Sequence, residues 1–321
     1  VNTRLVLAAL LVTAAAALTG CGSGELPAPN TMAAVNPEPA GAGEITEPPP
    51  IESSCDTEAS LRPGPLPRPG AMPQGSAMAA IVANGKLKVG VDQNTYLFGF
   101  RNPGTGELEG FDIDIAHEIA NALFGDPNKI ELRSVTAAER LPALRDKKVD
   151  MIVRTFSATC ERRKEVDFSS VYYGAAQRIL AQRDSGINSG ADLTGKRVCV
   201  ARGTTASTPL FAMANRPTVI GVTNWTDCLV ALQQRLVDAI SGDAPILFGL
   251  VEQDRNLQVV GDPIGVGGYA VGLPKGSDDL VRFVNGVLER MRSDGTWERI
   301  YATRLSALGP SPGQPAPRYV G

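Results

Sequence analysis

The stretch Gly110-Phe111-Asp112-Ile113-Asp114-Ile115-Ala116-His117-Glu118-Ile119-Ala120-Asn121-Ala122-Leu123 decides how this chain is read. Phe111, Ile115, Ile119 and Leu123 recur at every fourth position, so one face of a helix is apolar. Asp112 and Asp114 fall in its first turn, where unsatisfied N–H groups and the helix dipole favour negative charge. Paired acids invite a catalytic reading, but acids at a helix N-terminus are ordinary structure. The stretch is therefore expected to cap itself and pack a lobe, leaving the binding work to loops beyond it.

Working outward, strands and helices alternate. Residues 86–91 alternate polar and apolar as a short strand, 130–135 and 149–153 form two more, and 138–144 supply a helix between them. A second set follows, with strands at 195–200, 219–222 and 239–240, helices at 225–234 and 278–292, and a return crossing near 266–271. Strands separated by helices imply βαβ units and parallel sheet. The expected architecture is α/β, a two-lobed clamshell of the type II periplasmic-binding-protein kind with two interlobe crossings and its ligand in the cleft. The expected division is a leader at 1–20, a tether at 21–78, a first lobe at 79–180 plus 268–308, a second lobe at 181–267 and a flexible tail at 309–321.

Composition narrows the function. Lys and Arg number 31 against 34 Asp and Glu, for a net charge of −3, so there is no basic footprint for nucleic acid. His117 is the sole histidine; it argues against histidine-rich metal sites and Ser-His-Asp or Cys-His catalysis, and no metal, cofactor or enzymatic activity is expected. Asn2, Thr3 and Arg4 precede an apolar run at 5–18 that is too short and alanine-rich for a membrane span. The run ends in Leu18-Thr19-Gly20-Cys21, which resembles a bacterial lipobox and implies cleavage before Cys21, lipid on its sulfur, and anchoring on the outer face of a bacterial membrane. From there to about Ser76, proline, alanine and glycine dominate, so an extended tether is expected. The proline-rich residues from Pro310 onward are expected to fray.

An exported chain can oxidise its cysteines. Apart from Cys21 there are Cys55, Cys160, Cys199 and Cys228, which allow three pairings. Cys199–Cys228 is favoured because both fall in one lobe. Cys55 and Cys160 then staple the tether to the folded part, stay free or bond between molecules.

The quoted helix resembles the signature of family 3 solute-binding proteins, the polar amino-acid receptors of ABC importers. Further blocks agree in order. Val149-Asp150-Met151-Ile152-Val153-Arg154-Thr155-Phe156-Ser157-Ala158-Thr159-Cys160-Glu161-Arg162 is similar to the family's ligand-carboxylate block, and Val166-Asp167-Phe168-Ser169-Ser170-Val171-Tyr172-Tyr173 to its aromatic run. Arg202-Gly203-Thr204-Thr205, Gly242-Asp243-Ala244-Pro245 and Gly272-Leu273-Pro274-Lys275-Gly276-Ser277 match further landmarks. The resemblance covers about 85–305, and the Cys199/Cys228 pair also fits its glutamate-type branch.

The resemblance implies a site. Arg162 would grip the ligand α-carboxylate with its planar fork, completed by Ser157, the Thr155 backbone and Thr205, while Asp243 would take the α-ammonium. Arg154, Arg140 and Arg101 are candidates for extra positive charge, and a surplus buried cation asks for an anionic ligand. Phe98 is the candidate aromatic for the ligand stem, since Thr95 and Ala137 stand where the family often has aromatics. The implied ligand is glutamate or aspartate, then glutamine or asparagine. The implied partner is an ABC importer permease or, alternatively, a membrane sensor protein, with the chain itself a monomer.

Overall fold

The protein is described by a computed structural model over residues 37–51 and 54–320. The expected leader and Cys21 lie outside these residues. In chain order the strands are β1 Gly43–Glu44, β2 Ala59–Leu61, β3 Leu87–Val91, β4 Asn94–Thr95, β5 Gly99–Arg101, β6 Leu108–Glu109, β7 Ile130–Ser134, β8 Met151–Ile152, β9 Val166–Gln182, β10 Arg197–Ala201, β11 Thr218–Val222, β12 Ala239–Asp243, β13 Leu257–Pro274 and β14 Arg318–Val320. The helices are α1 Ala77–Ala83, α2 Phe111–Phe124, α3 Arg140–Arg145, α4 Cys160–Glu165, α5 Thr208–Phe211, α6 Trp225–Gln233, α7 Ala244–Gln253, α8 Asp278–Ser293 and α9 Thr296–Arg304.

Two long antiparallel strands organise everything. β9 and β13 pair from Leu257↔Gln182 to Pro274↔Val166, with register shifts at Val260/Gly265 and around Tyr269–Gly272. One end of β9 pairs with β12, and one end of β13 pairs with β8, so the hydrogen-bonded order is β1-β11-β10-β12-β9-β13-β8-β3-β7. Parallel pairs β3·β7, β3·β8, β10·β11 and β10·β12 match the expected βαβ units. Ala143, Leu144, Ile152, Phe156 and Phe168 form a small apolar cluster, and the two larger cores are separate. One gathers Val89, Val91, Phe111, Ile115, Ile119, Leu123, Val284, Leu288 and Trp297. The other gathers Leu180, Val198, Val200, Val222, Leu232, Ile240 and Leu247. This is the two-lobed α/β plan, with β9 and β13 as the crossings.

The helix that opened the reading forms where expected. Gly110 caps it with φ 132°, and a Cβ there would run into the Phe98 carbonyl, so only glycine fits. Gly125 ends it in the left-handed region. The two aspartates are a correction. Neither side chain caps the helix: Asp112 turns inward and Asp114 pairs with Arg304 at 2.7 Å.

The proline-rich segments are the second correction. Gly43–Glu44 adds antiparallel to β11, Ser76 caps α1 by accepting from Ala79 N, and Ala59–Leu61 pairs in parallel with the tail strand Arg318–Val320. These segments lack many N–H donors but keep their carbonyls, and arginines of the folded part meet them. Arg163 donates to Thr57 O and Ala59 O, Arg282 to Arg62 O, and Arg292 to Pro315 O. Buried Asn285 of α8 donates to Ser60 Oγ and Leu61 O and accepts from Ser170 N. Composition registers the missing donors, not arginines supplied from elsewhere in the chain, 104 to 220 residues away for Arg163 and Arg282.

Both disulfides form. Cys199 on β10 joins Cys228 on α6 inside the second core, and Cys55 joins Cys160 at the start of α4.

Candidate functional site

The loop after β8 builds one wall of a pocket between the lobes. Thr155 holds φ at +37°, a value that a β-branched residue rarely adopts and that surrounding contacts must enforce. Asp112 supplies one such contact. Its carboxylate accepts from Thr155 N at 2.8 Å and from the Tyr172 hydroxyl at 2.7 Å, and it is fully buried. Burial pushes its pKa up to about 6, against the pull of those two hydrogen bonds. The helix thus reaches the site indirectly, by fixing the loop.

Arg162 sits in the first turn of α4, which Thr159 caps by accepting from Arg162 N. Its guanidinium donates to Ser157 O at 2.5 Å and across the cleft to Gly203 O at 2.9 Å. Arg140 is 2 % exposed and donates to the carbonyls of Ala137, Arg154, Thr155 and, also across the cleft, Gly203. Both guanidiniums lie over the Phe156 ring, at 4.3 Å for Arg140 and 5.0 Å for Arg162. Desolvation lowers the pKa of each, that of Arg162 to about 10, and a guanidinium keeps its proton in a protein.

The second lobe supplies the acid. Asp243 ends β12 opposite Gln177 of β9 and begins α7. It accepts from the Tyr269 hydroxyl at 2.8 Å. Burial raises its pKa, while Tyr269, both arginines and Gln177 pull it back. Gln177 in turn donates to Thr205 Oγ1 at 2.9 Å. Among the described residues no carboxylate stands within ion-pair distance of Arg140 or Arg162, so the pocket holds two cations and one anion.

Of the residues singled out in the sequence, Arg140, Thr155, Ser157, Arg162, Thr205 and Asp243 line this one pocket. Three do not. Arg154 points away and pairs with buried Asp92 at 2.8 Å while donating to Val135 O. Its charge is already neutralised, and it adds none to the cleft. Arg101 is exposed and donates to Gly106 O within its own hairpin. Phe98 is completely buried edge-on against Phe111, Tyr173 and Tyr269, as core rather than rim.

Sequence reasoning missed Thr204, Ala206, Trp225 and Ile246 of the lining. Trp225 carried a usable signal, since it opens a helix directly after the Asn224 capping box in the lobe facing the cleft. Gln177 had none, because only the β9–β12 register sets it beside Asp243.

Residues 87–305 match the model of the bacterial extracellular solute-binding proteins, family 3. The chain belongs to that family. Members bind solutes rather than transform them, so this family 3 protein is not an enzyme. It is 39 % identical over 225 residues to the ABC transporter glutamine-binding protein GlnH of Bacillus subtilis, covering 70 % of this chain and 82 % of that one. It is 30 % identical over 243 residues to the glutamate-binding protein GluB of Corynebacterium glutamicum, covering 72 % and 82 %. Among solved structures, the solute receptor for L-cysteine of Neisseria gonorrhoeae superposes with a TM-score of 0.70 at 29 % identity, covering 73 % of this chain and 97 % of that one. These likenesses also carry the two-lobed fold.

Proposed function

We propose that this family 3 protein is an extracytoplasmic receptor for glutamate or aspartate, with their amides next in preference, and that it hands its ligand to an ABC importer. The observation that carries the reading is the charge count of the pocket. Arg162 and Asp243 suit the carboxylate and ammonium of an amino-acid zwitterion, and Arg140 is left as a second buried cation. A buried unpaired cation is costly, so an anionic side chain is the best complement. Arg154 does not contribute, which leaves the argument resting on Arg140 alone. The relatives named for glutamine and glutamate binding support a ligand of this size and shape. Closure is a population shift: a ligand touching Arg162 and Ser157 on one lobe and Thr205 and Asp243 on the other favours the closed state by its differential affinity.

We further read the leader and Cys21 as a lipoprotein signal that holds the receptor at the membrane. Acylated Cys21 would appear as a lipid mass on the N-terminal peptide of membrane-extracted protein, lost in Cys21→Ser.

Titration calorimetry with the twenty amino acids tests the ligand assignment. Glutamate and aspartate should bind most tightly, and Arg140→Met should remove most of their advantage over glutamine. Equal affinity for leucine and glutamate, or an unchanged preference in Arg140→Met, refutes the assignment.

A further inference from the structure

Residues before 87 lie outside the stretch that matches the family, yet described ones among them touch both lobes. On the second lobe, Gly43 and Glu44 pair with Gly221 and Ile220, Ile45 N donates to Val219 O at 2.8 Å, and Arg202 donates to Gly43 O at 2.8 Å. On the first lobe, Cys55 is bonded to Cys160, which lies two residues before Arg162, and Arg163 donates to Thr57 O and Ala59 O. Nine residues, 46–54, join these anchors. Pro48, Pro49 and Pro50 stiffen that connection, because each fixes φ and favours extended chain. Pro49, Pro50 and Ile51 wall a groove that also contains Arg162 from one lobe and Thr205 from the other.

We infer that the segment 43–51, joined through the chain to Cys55 and so to the other lobe, is a strap that favours the closed arrangement of the lobes. A connection of this length spans at most about 35 Å between Ile45 and Cys55 when fully extended, which bounds their separation. Opening beyond its slack must peel Gly43–Ile45 from β11 or strain a covalent link. Each backbone hydrogen bond peeled away shifts the open–closed equilibrium by about fivefold. A ligand that needs the closed state therefore binds more tightly, and leaves more slowly, with the strap in place. The affinity part rests on the amino-acid reading above; the geometry does not.

The test keeps the whole chain. Residues 47–50 are replaced by a viral-protease recognition sequence, and the purified oxidised protein is compared before and after cutting. Spin labels at Lys148→Cys and Asp184→Cys, on exposed positions of the two lobes, report the interlobe distance without ligand. Cutting should broaden that distance toward longer values and raise the Kd for glutamate about five- to tenfold, mainly through faster release. Superimposable distance distributions before and after cutting overturn the strap. If glutamate fails to bind even the uncut protein, the ligand reading falls, while the distance measurement still decides the strap.

Discussion

Replacing Asp112 by asparagine separates what this buried acid costs from what it holds. The carboxylate is fully buried and its pKa rises from 3.8 to about 6, chiefly through desolvation, with the Tyr172 and Thr155 hydrogen bonds opposing. A folded-state value above the unfolded one means stability that is present at low pH and lost as pH rises through about 6. Between pH 4.5 and 7.5 that loss amounts to about 2 kcal/mol. Asparagine does not titrate, so Asp112→Asn should flatten the wild-type decline over this window by about that amount. Its oxygen can still accept from Thr155 N, and its amide can donate to the Tyr172 hydroxyl. Stability at pH 7.5 should therefore stay within about 1 kcal/mol of wild type. Asp112→Ala instead strands both donors and should cost about 3 kcal/mol. It should also weaken ligand binding, because nothing then holds Thr155 at its positive φ. Urea unfolding of the ligand-free protein at the two pH values, together with calorimetric Kd values, makes the comparison. If the wild type and Asp112→Asn show the same pH dependence, the assignment of that slope to Asp112 is wrong.

Three further outcomes are expected. Arg162→Lys keeps the charge but loses the planar fork, and should raise the Kd for glutamate about 10- to 100-fold with little change in Tm. Gly203→Ala should hinder closure, since its φ is +76° and a Cβ would sit 2.7 Å from Ala138 Cα; a roughly tenfold rise in Kd with near-normal far-UV circular dichroism is the signature. Asp92→Asn leaves Arg154 buried without its carboxylate and should destabilise by about 3–5 kcal/mol in urea unfolding. Part of that loss should return in the double variant Asp92→Asn/Arg154→Met.

How much of this was legible beforehand depended on range. The strands and helices of both lobes follow from local periodicity, and boundary errors are small: the expected strand 149–153 shrinks to Met151–Ile152 because the chain from Arg154 turns into the pocket. Part of the candidate pocket's lining was legible because Ser157, Arg162, Thr205 and Asp243 sit inside motif blocks. What escaped were partnerships over long sequence distances. Arg154 and Arg140 look alike in sequence, and only the position of Asp92, sixty-two residues before Arg154, separates a neutralised support from a pocket cation. Phe98 reads as a rim aromatic until Tyr173 and Tyr269 close over it from the two crossing strands. Asp112 reads as a cap because its true partners, Thr155 N and Tyr172, arrive 43 and 60 residues later.

The strand Gly43–Glu44 also bears on how the protein behaves in crowded solution. Without it, β11 would present an open row of N–H and C=O groups along a run of Val219, Ile220 and Val222, a template for pairing with another chain. Two residues suffice to cover part of that row while offering too short an edge to recruit a third chain. The opposite edge, β7, is handled with charge: Glu131 and Arg133 pair along it at 2.7 Å. A chain trimmed to its family-matching residues would keep the second safeguard and lose the first, and its tendency to associate through β11 should rise with concentration.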